Sequence, residues 1–221
     1  MAVKCIHSKS DGFKVATINA YDQKEVRKEV KSLQQLQHEN ILKLCGCNID
    51  RTGTIYIFLE LMDGSIADQL NKDGPLALEF IRPYALQILS GLSHIHTNGI
   101  VHQDLKCANL LLSRNGSIVK IADFGIATKI ASTLSETKTS KVIGNKAGTP
   151  KFMAPEMFKD EKFGRAADIW SFGCCVIEMA TGHSPWSELE DRDVLLAQLW
   201  YKVHGLINTQ YYWVLLIFYW S

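Results

Sequence analysis

The chain has 221 residues, 47% of them hydrophobic and 21% charged, enough apolar material for a sizeable core and too little charge for a disordered chain. Its 24 lysines and arginines balance 23 aspartates and glutamates, so neither a nucleic-acid surface nor a charged tail is indicated. The six cysteines are scattered without a CxxC pair, which argues against a zinc site or a disulfide framework and for reduced thiols in a cytoplasmic protein.

Met1 leads straight into a strand-like segment, MAVKCI, rather than a signal peptide, with Lys4 among its apolar residues. Asp22 to Gln37 reads as a helix. Asp22 supplies an N-cap, Glu25 completes a capping box, and Val26, Val30, Leu33 and Leu36 form one stripe. Glu29 falls on that stripe. A carboxylate aimed at the interior is costly unless paired, and Lys4 is its natural partner; the alternatives are Lys28 or Lys31. Strands follow at Ile41 to Cys45 and Thr54 to Leu61, separated by a loop ending in Arg51-Thr52-Gly53, and Asp63-Gly64-Ser65 marks a hinge. From Ile66 the chain turns mainly helical. Pro83 fits the first turn of a helix that continues through Ile88, Leu92 and Ile95 and stops before Gly99. His94 and His96, near its end, read as packing or surface residues, not metal ligands.

The stretch Ile100 to Gly125, IVHQDLKCANLLLSRNGSIVKIADFG, reads as a β-hairpin with polar groups at fixed offsets. Leu110 to Leu112 and Ser117 to Ala122 are its apolar runs, and Asn115-Gly116 supplies the positive backbone angles of a tight two-residue turn. Such a hairpin brings Asp104, Asn109 and Asp123 to one end. Two carboxylates and a carboxamide are hard oxygen ligands suited to Mg²⁺ with its waters and phosphates. Taken singly, Asp104 and Asn109 also fit as turn formers and Asp123 as a cap at a strand end. A long Ser/Thr- and Lys-rich stretch follows, including Ser132, Thr133, Ser135, Thr137, Thr139 and Ser140, and its length marks it as functional or disordered. Ala166 to Thr181 reads as a helix apolar nearly all round, and so buried.

HQDLKCAN followed by DFG, then GTPKFMAPE and DIWSFGC, resembles the catalytic domain of protein kinases. KCANLL, GTPKFMAPE and ADIWSFGCCVIEMATGHSPWSEL look most like the mitogen-activated protein kinase kinase kinases of the serine/threonine class. The resemblance implies an α+β, two-lobed kinase-like fold. Residues 1–62 would be a small β-rich lobe, 63–198 a larger, mainly helical lobe, and 199–221 an atypical apolar tail. It also implies an enzyme that transfers the ATP γ-phosphate to a protein Ser/Thr hydroxyl in a signalling cascade, with Mg²⁺ and a downstream kinase as protein substrate. Asp104 would orient the hydroxyl and accept its proton, and Lys106 would neutralise the γ-phosphate. Asn109 and Asp123 would hold Mg²⁺, and the Lys4–Glu29 pair would hold the α- and β-phosphates. Thr149 would contact Asp104 and Lys106. Adenine would meet Ala2, Leu111, the gatekeeper Leu59 and the backbone of Glu60 and Met62, although these last residues also read simply as a strand end. Leu33, Leu44, His102 and Phe124 would form a hydrophobic stack, anchored by Asp168 through backbone hydrogen bonds.

The sequence departs from that family in three places. Gln103 stands where arginine is usual; a neutral side chain cannot grip a phosphorylated residue bidentately, so coupling of loop phosphorylation to catalysis should be weak. Met1 lies too near Lys4 for the strands of a glycine-rich loop, which implies weakened ATP binding, an exposed sheet edge and, as the alternative function, a catalytically impaired scaffold or binding module. Glu156 lacks its usual arginine, because Arg192 comes too early. Tyr211 to Trp220 is intensely apolar but about half the length of a roughly 20-residue membrane span, and reads as a mis-joined end or, less readily, a membrane-associating tail.

Overall fold

The computed structural model describes residues 1–6, 34, 36–49, 51, 55–113, 115–124, 128–129, 149–158 and 164–190. Three short strands open the fold, β1 (Ala2–Ile6), β2 (Leu44–Ile49) and β3 (Ile55–Leu59), of which β3 is the richest in β-branched and aromatic residues. They pair antiparallel in the order β1-β3-β2, with Lys4 opposite Ile57 and Ala2 opposite Leu59. The expected strand at Ile41 to Cys45 begins later. Ile41 makes a single parallel bridge to Ile121, and Leu42 donates its N–H to the Ile121 carbonyl at 2.9 Å. Both side chains are buried, so this stretch is drawn onto a second layer before β2 begins. The helix expected up to Gln37 is also shorter: Gln34 is helical, but the chain has left the helix by Leu36. Glu29, Leu33, Lys28 and Lys31 lie outside the described residues, as does the Lys4 side chain.

The larger layer starts at β4 (Gly64–Ser65) and α1 (Ile66–Asp73). The residues read as a hinge hold a capping box. Ser65 Oγ accepts the Asp68 N–H at 3.1 Å, and Asp68 Oδ2 accepts the Ser65 N–H at 2.8 Å. Next come α2 (Leu78–Thr97), β5 (Ile100–Val101), β6 (Leu110–Ser113), β7 (Ile118–Ile121), β8 (Thr128–Lys129) and α3 (Arg165–Thr181). Helix α2 begins five residues before Pro83, which sits in its second turn rather than its first. Burial of Ile81 and the bond from Leu76 N–H to the Met179 carbonyl (2.8 Å) fix the start upstream, and the helix tolerates the one missing donor.

The core lies between α2, the β6–β7 hairpin and α3. Ile88, Leu92, Ile95, Leu110, Ile121, Val176 and Met179 are all fully buried within it. Helix α3 is not covered all round: Ile169 and Trp170 remain 48% and 37% exposed, whereas Asp168, Phe172 and Cys175 face inward. The hairpin connection spans 114–117, two residues longer than expected, and Asn115 (φ 58°) and Gly116 (φ 83°) supply the left-handed pair. Tyr84 on α2 donates its hydroxyl to the Gly116 carbonyl at 2.8 Å and pins this turn to the helix.

Asn40 joins the two layers. Its amide donates to Gln87 Oε1 (3.1 Å) and the Val119 carbonyl (3.0 Å), while its carbonyl accepts the Ile121 N–H (2.9 Å). This approach needs Gly91 on α2, where an added Cβ would stand 2.8 Å from the Asn40 oxygen. Among the described residues, no helix is long and apolar enough to cross a membrane.

Candidate active site

The site is organised by one buried carboxylate. Asp168, in the first turn of α3, is fully buried and accepts the N–H groups of His102 and Gln103, each at 2.9 Å. His96 Nε2 lies 2.7 Å from its Oδ2. Three donors on two oxygens compensate the desolvation that a lone buried carboxylate would suffer. They hold Gln103 at φ 72°, a left-handed conformation that costs a non-glycine residue on the order of 1 kcal/mol. The chain reverses there and directs Asp104 into the loop.

Asp104, Lys106 and Thr149 then close a small network. Lys106 Nζ lies 3.0 Å from Asp104 Oδ2 and donates to Thr149 Oγ1 at 2.8 Å. The Thr149 hydroxyl donates in turn to Asp104 Oδ1 at 3.0 Å. Asn109 stands on the short turn Cys107–Asn109, and its Nδ2 donates to the Asp104 carbonyl (2.7 Å) and to Asp104 Oδ2 (3.2 Å). With its nitrogen committed to Asp104, the amide presents Oδ1 to the opposite side.

The hairpin brings residues 122–124 to this network. Ala122 donates its N–H to the Asn109 carbonyl at 2.9 Å, and its own carbonyl accepts from His102 Nε2 at 2.9 Å. Asp123 follows directly, exposed and at φ 63°. Phe124 is buried, with its ring edge-on to His102 at 5.0 Å and 69°. Leu44 packs against the same core. Asp104, Asn109 and Asp123 are thus gathered at one end of the hairpin, and all their donor atoms are hard oxygens. Among the described residues, no three His, Cys, Asp or Glu form a self-sufficient metal cage. By its hard oxygens, this donor set fits a cation that completes its shell with water and phosphate, as Mg²⁺ does.

The proposed adenine residues flank the junction between layers. Leu59 ends the central strand, between Ala2 and Leu44. Glu60 to Met62 carry the chain across to Asp63, whose N–H donates to the Leu112 carbonyl at 2.8 Å. Leu111 on β6 lies opposite Ser65. Gly125, the Ser/Thr-rich stretch from Ser132 to Ser140, Gly148, Arg192 and the tail 199–221 lie outside the described residues.

Sequence reasoning missed two contributors. His96 carried no signal beyond its place at a helix end, yet it touches Asp168. Glu178 on α3 lies against Cys107; burial raises its carboxyl above the ordinary range, partly offset by hydrogen bonds from the Cys107 side chain and backbone. Its position ten residues after Asp168, on the same helix, was the available clue.

A protein kinase domain profile matches residues 1–210. Mitogen-activated protein kinase kinase kinase 3 of mouse is 45% identical over 164 residues, covering 73% of this chain and 26% of the relative. Mitogen-activated protein kinase kinase kinase A of Dictyostelium discoideum is 40% identical over 165 residues, covering 74% of this chain and 17% of the relative. Mitogen-activated protein kinase kinase kinase 1 of Arabidopsis thaliana is 40% identical over 196 residues, covering 84% and 31% respectively. The chain spans less than a third of the length of each of these relatives.

Proposed function

This chain belongs to the protein kinase domain family, and we propose that it transfers the γ-phosphate of ATP to a serine or threonine hydroxyl of a protein substrate. The observation that carries this reading is the closed contact of Asp104 with Lys106, Thr149 and Asn109, next to Asp123. Phosphoryl transfer asks a protein mainly for alignment and charge neutralisation, and this network offers both.

Asp104 aligns the acceptor hydroxyl and takes its proton onto the carboxylate as the new oxygen–phosphorus bond forms and the bond from the γ-phosphorus to the bridging oxygen breaks, releasing ADP. Lys106 neutralises charge on the transferred group, held in place by Thr149. Asn109 and Asp123 would hold Mg²⁺, which would supply charge neutralisation of the nucleotide phosphates. Lys4 and Glu29, which lie outside the described side chains, would by the family resemblance pair and steady the α- and β-phosphates. Ala2, Leu59 and Leu111 enclose the adenine, and the backbone of Glu60 and Met62 hydrogen-bonds to it. The names of the relatives support a mitogen-activated cascade, with a downstream mitogen-activated protein kinase kinase as substrate. The scattered cysteines, without a CxxC pair, are what favours the cytoplasm as the place of action.

The test is phosphate incorporation from labelled ATP into a generic Ser/Thr protein substrate, comparing the chain with its Asp104→Asn variant. Incorporation that depends on Mg²⁺ and disappears in the variant is expected. Equal signals from the two proteins would refute the enzymatic reading.

A further inference from the structure

Glu60 is the first residue after β3, and its carboxylate is held from two sides. It accepts the Lys43 N–H at 2.6 Å, and Lys120 Nζ reaches both its oxygens, at 2.8 and 3.0 Å. The Glu60 N–H donates back to the Lys43 carbonyl at 3.1 Å, so Lys43 and Glu60 are reciprocally bonded. Lys43 and Glu60 lie on the two stretches of chain that cross from the small sheet to the larger layer. Lys120 lies on β7, cross-strand from Leu111 and three residues before Asp123. One ammonium thus fastens both crossings to the strand that leads into the metal loop.

Backbone pairing already fixes β3 and β7, so this partly buried ion pair, with side chains 15% and 26% exposed, is not what holds either strand in place. It adds direction instead, because a carboxylate held at both oxygens cannot swing, and the peptide that carries it turns with it. We propose that Lys120 is a positioning residue for the nucleotide: by clamping Glu60 it orients the peptide proposed to meet adenine and so sets ATP affinity. The inference rests on the kinase reading and adds a specific determinant to it.

The experiment compares the full 221-residue chain with Lys120→Met, Lys120→Arg, Glu60→Gln and the double variant Glu60→Gln/Lys120→Met. Dissociation constants come from titration with a fluorescent ATP analogue in Mg²⁺; KM and kcat come from phosphate incorporation. Lys120→Met should raise Kd and KM for ATP by about three- to ten-fold, the range of a partly screened ion pair, with kcat changed less than about two-fold. Lys120→Arg should restore affinity, and the double variant should be no weaker than Glu60→Gln alone. Hydrogen exchange of the Glu60 amide should quicken in Lys120→Met. Unchanged Kd in Lys120→Met, a fall in kcat alone, or multiplying effects in the double variant would overturn the inference while leaving the kinase reading intact. A wild-type chain that bound no nucleotide would remove both.

Discussion

Replacing Gly91 with alanine tests how closely the two layers approach. In a mid-helix position the substitution should favour the folded state by about 1 kcal/mol, because alanine is the better helix former. At Gly91 the new methyl would stand 2.8 Å from the Asn40 carbonyl oxygen, 3.0 Å from Ile121 Cδ1 and 3.3 Å from Asn40 Cβ. The nearest atom is backbone, and it already accepts the Ile121 N–H, so it cannot move without loosening that bond. Overpacking of this kind costs about 1–3 kcal/mol, and a weakened buried hydrogen bond adds about 1 kcal/mol. The net destabilisation is about 1–3 kcal/mol, or roughly 3–9 °C in Tm for a chain of this size. Gly173, on α3, is the control: a methyl there meets nothing within 4 Å, so Gly173→Ala should raise Tm by a few degrees. Thermal unfolding followed by circular dichroism reads both. If Gly91→Ala were as stable as Gly173→Ala, the close approach would be refuted.

Thr149→Val keeps the shape of the side chain but removes the hydroxyl bridging Lys106 and Asp104; phosphate incorporation should fall by about 10²-fold, and Thr149→Ser should restore most of it. Asp168→Asn places an amide NH₂ against one of three buried donors and should cost about 2–4 kcal/mol in urea unfolding, with activity falling before the fold is lost. Burial raises the Glu178 carboxyl above its ordinary value of 4.5, so the folded state holds this proton more tightly than the unfolded one. Its contribution is therefore fully present below pH 4.5 and is lost as pH rises through the raised value. Glu178→Gln should flatten that limb of the stability–pH profile, gaining on wild type at pH 8 but not at pH 4, as chemical denaturation across pH would report.

The residues of the site were legible because their chemistry is unusual for their surroundings. Asp104, Lys106 and Asn109 interrupt an apolar run, and Asn115-Gly116 announces the reversal that folds Asp123 back toward them. The α2 core was legible through its period, and that of α3 through a run apolar on nearly every face. Their ends were less so, since a bond as remote as that between Leu76 and Met179 decides where α2 begins. Ile41 and Leu42 looked like strand because they are apolar and β-prone, but burial against Ile121 withdrew them from the small sheet. The bonds of Asp168 to the His102 and Gln103 N–H groups were expected through the resemblance, whereas its contact with His96, 72 residues away, leaves no local trace. Nor does the salt bridge of Glu60 with Lys120, whose partners look like ordinary surface charges in the sequence.

The distribution of sulfur gives this protein an internal gauge of its own opening. Cys45 and Cys47 face solvent, whereas Cys107, Cys174 and Cys175 are sealed between the catalytic loop and α3. Burial pushes the thiols of Cys107 and Cys174 far up, away from the reactive thiolate. Among the described cysteines, an alkylating reagent at neutral pH should mark Cys45 and Cys47 within minutes and reach Cys107, Cys174 and Cys175 only when α3 parts from the loop. Modification located at Cys107, Cys174 and Cys175 by peptide mass then reports openings between that loop and α3 without any introduced label.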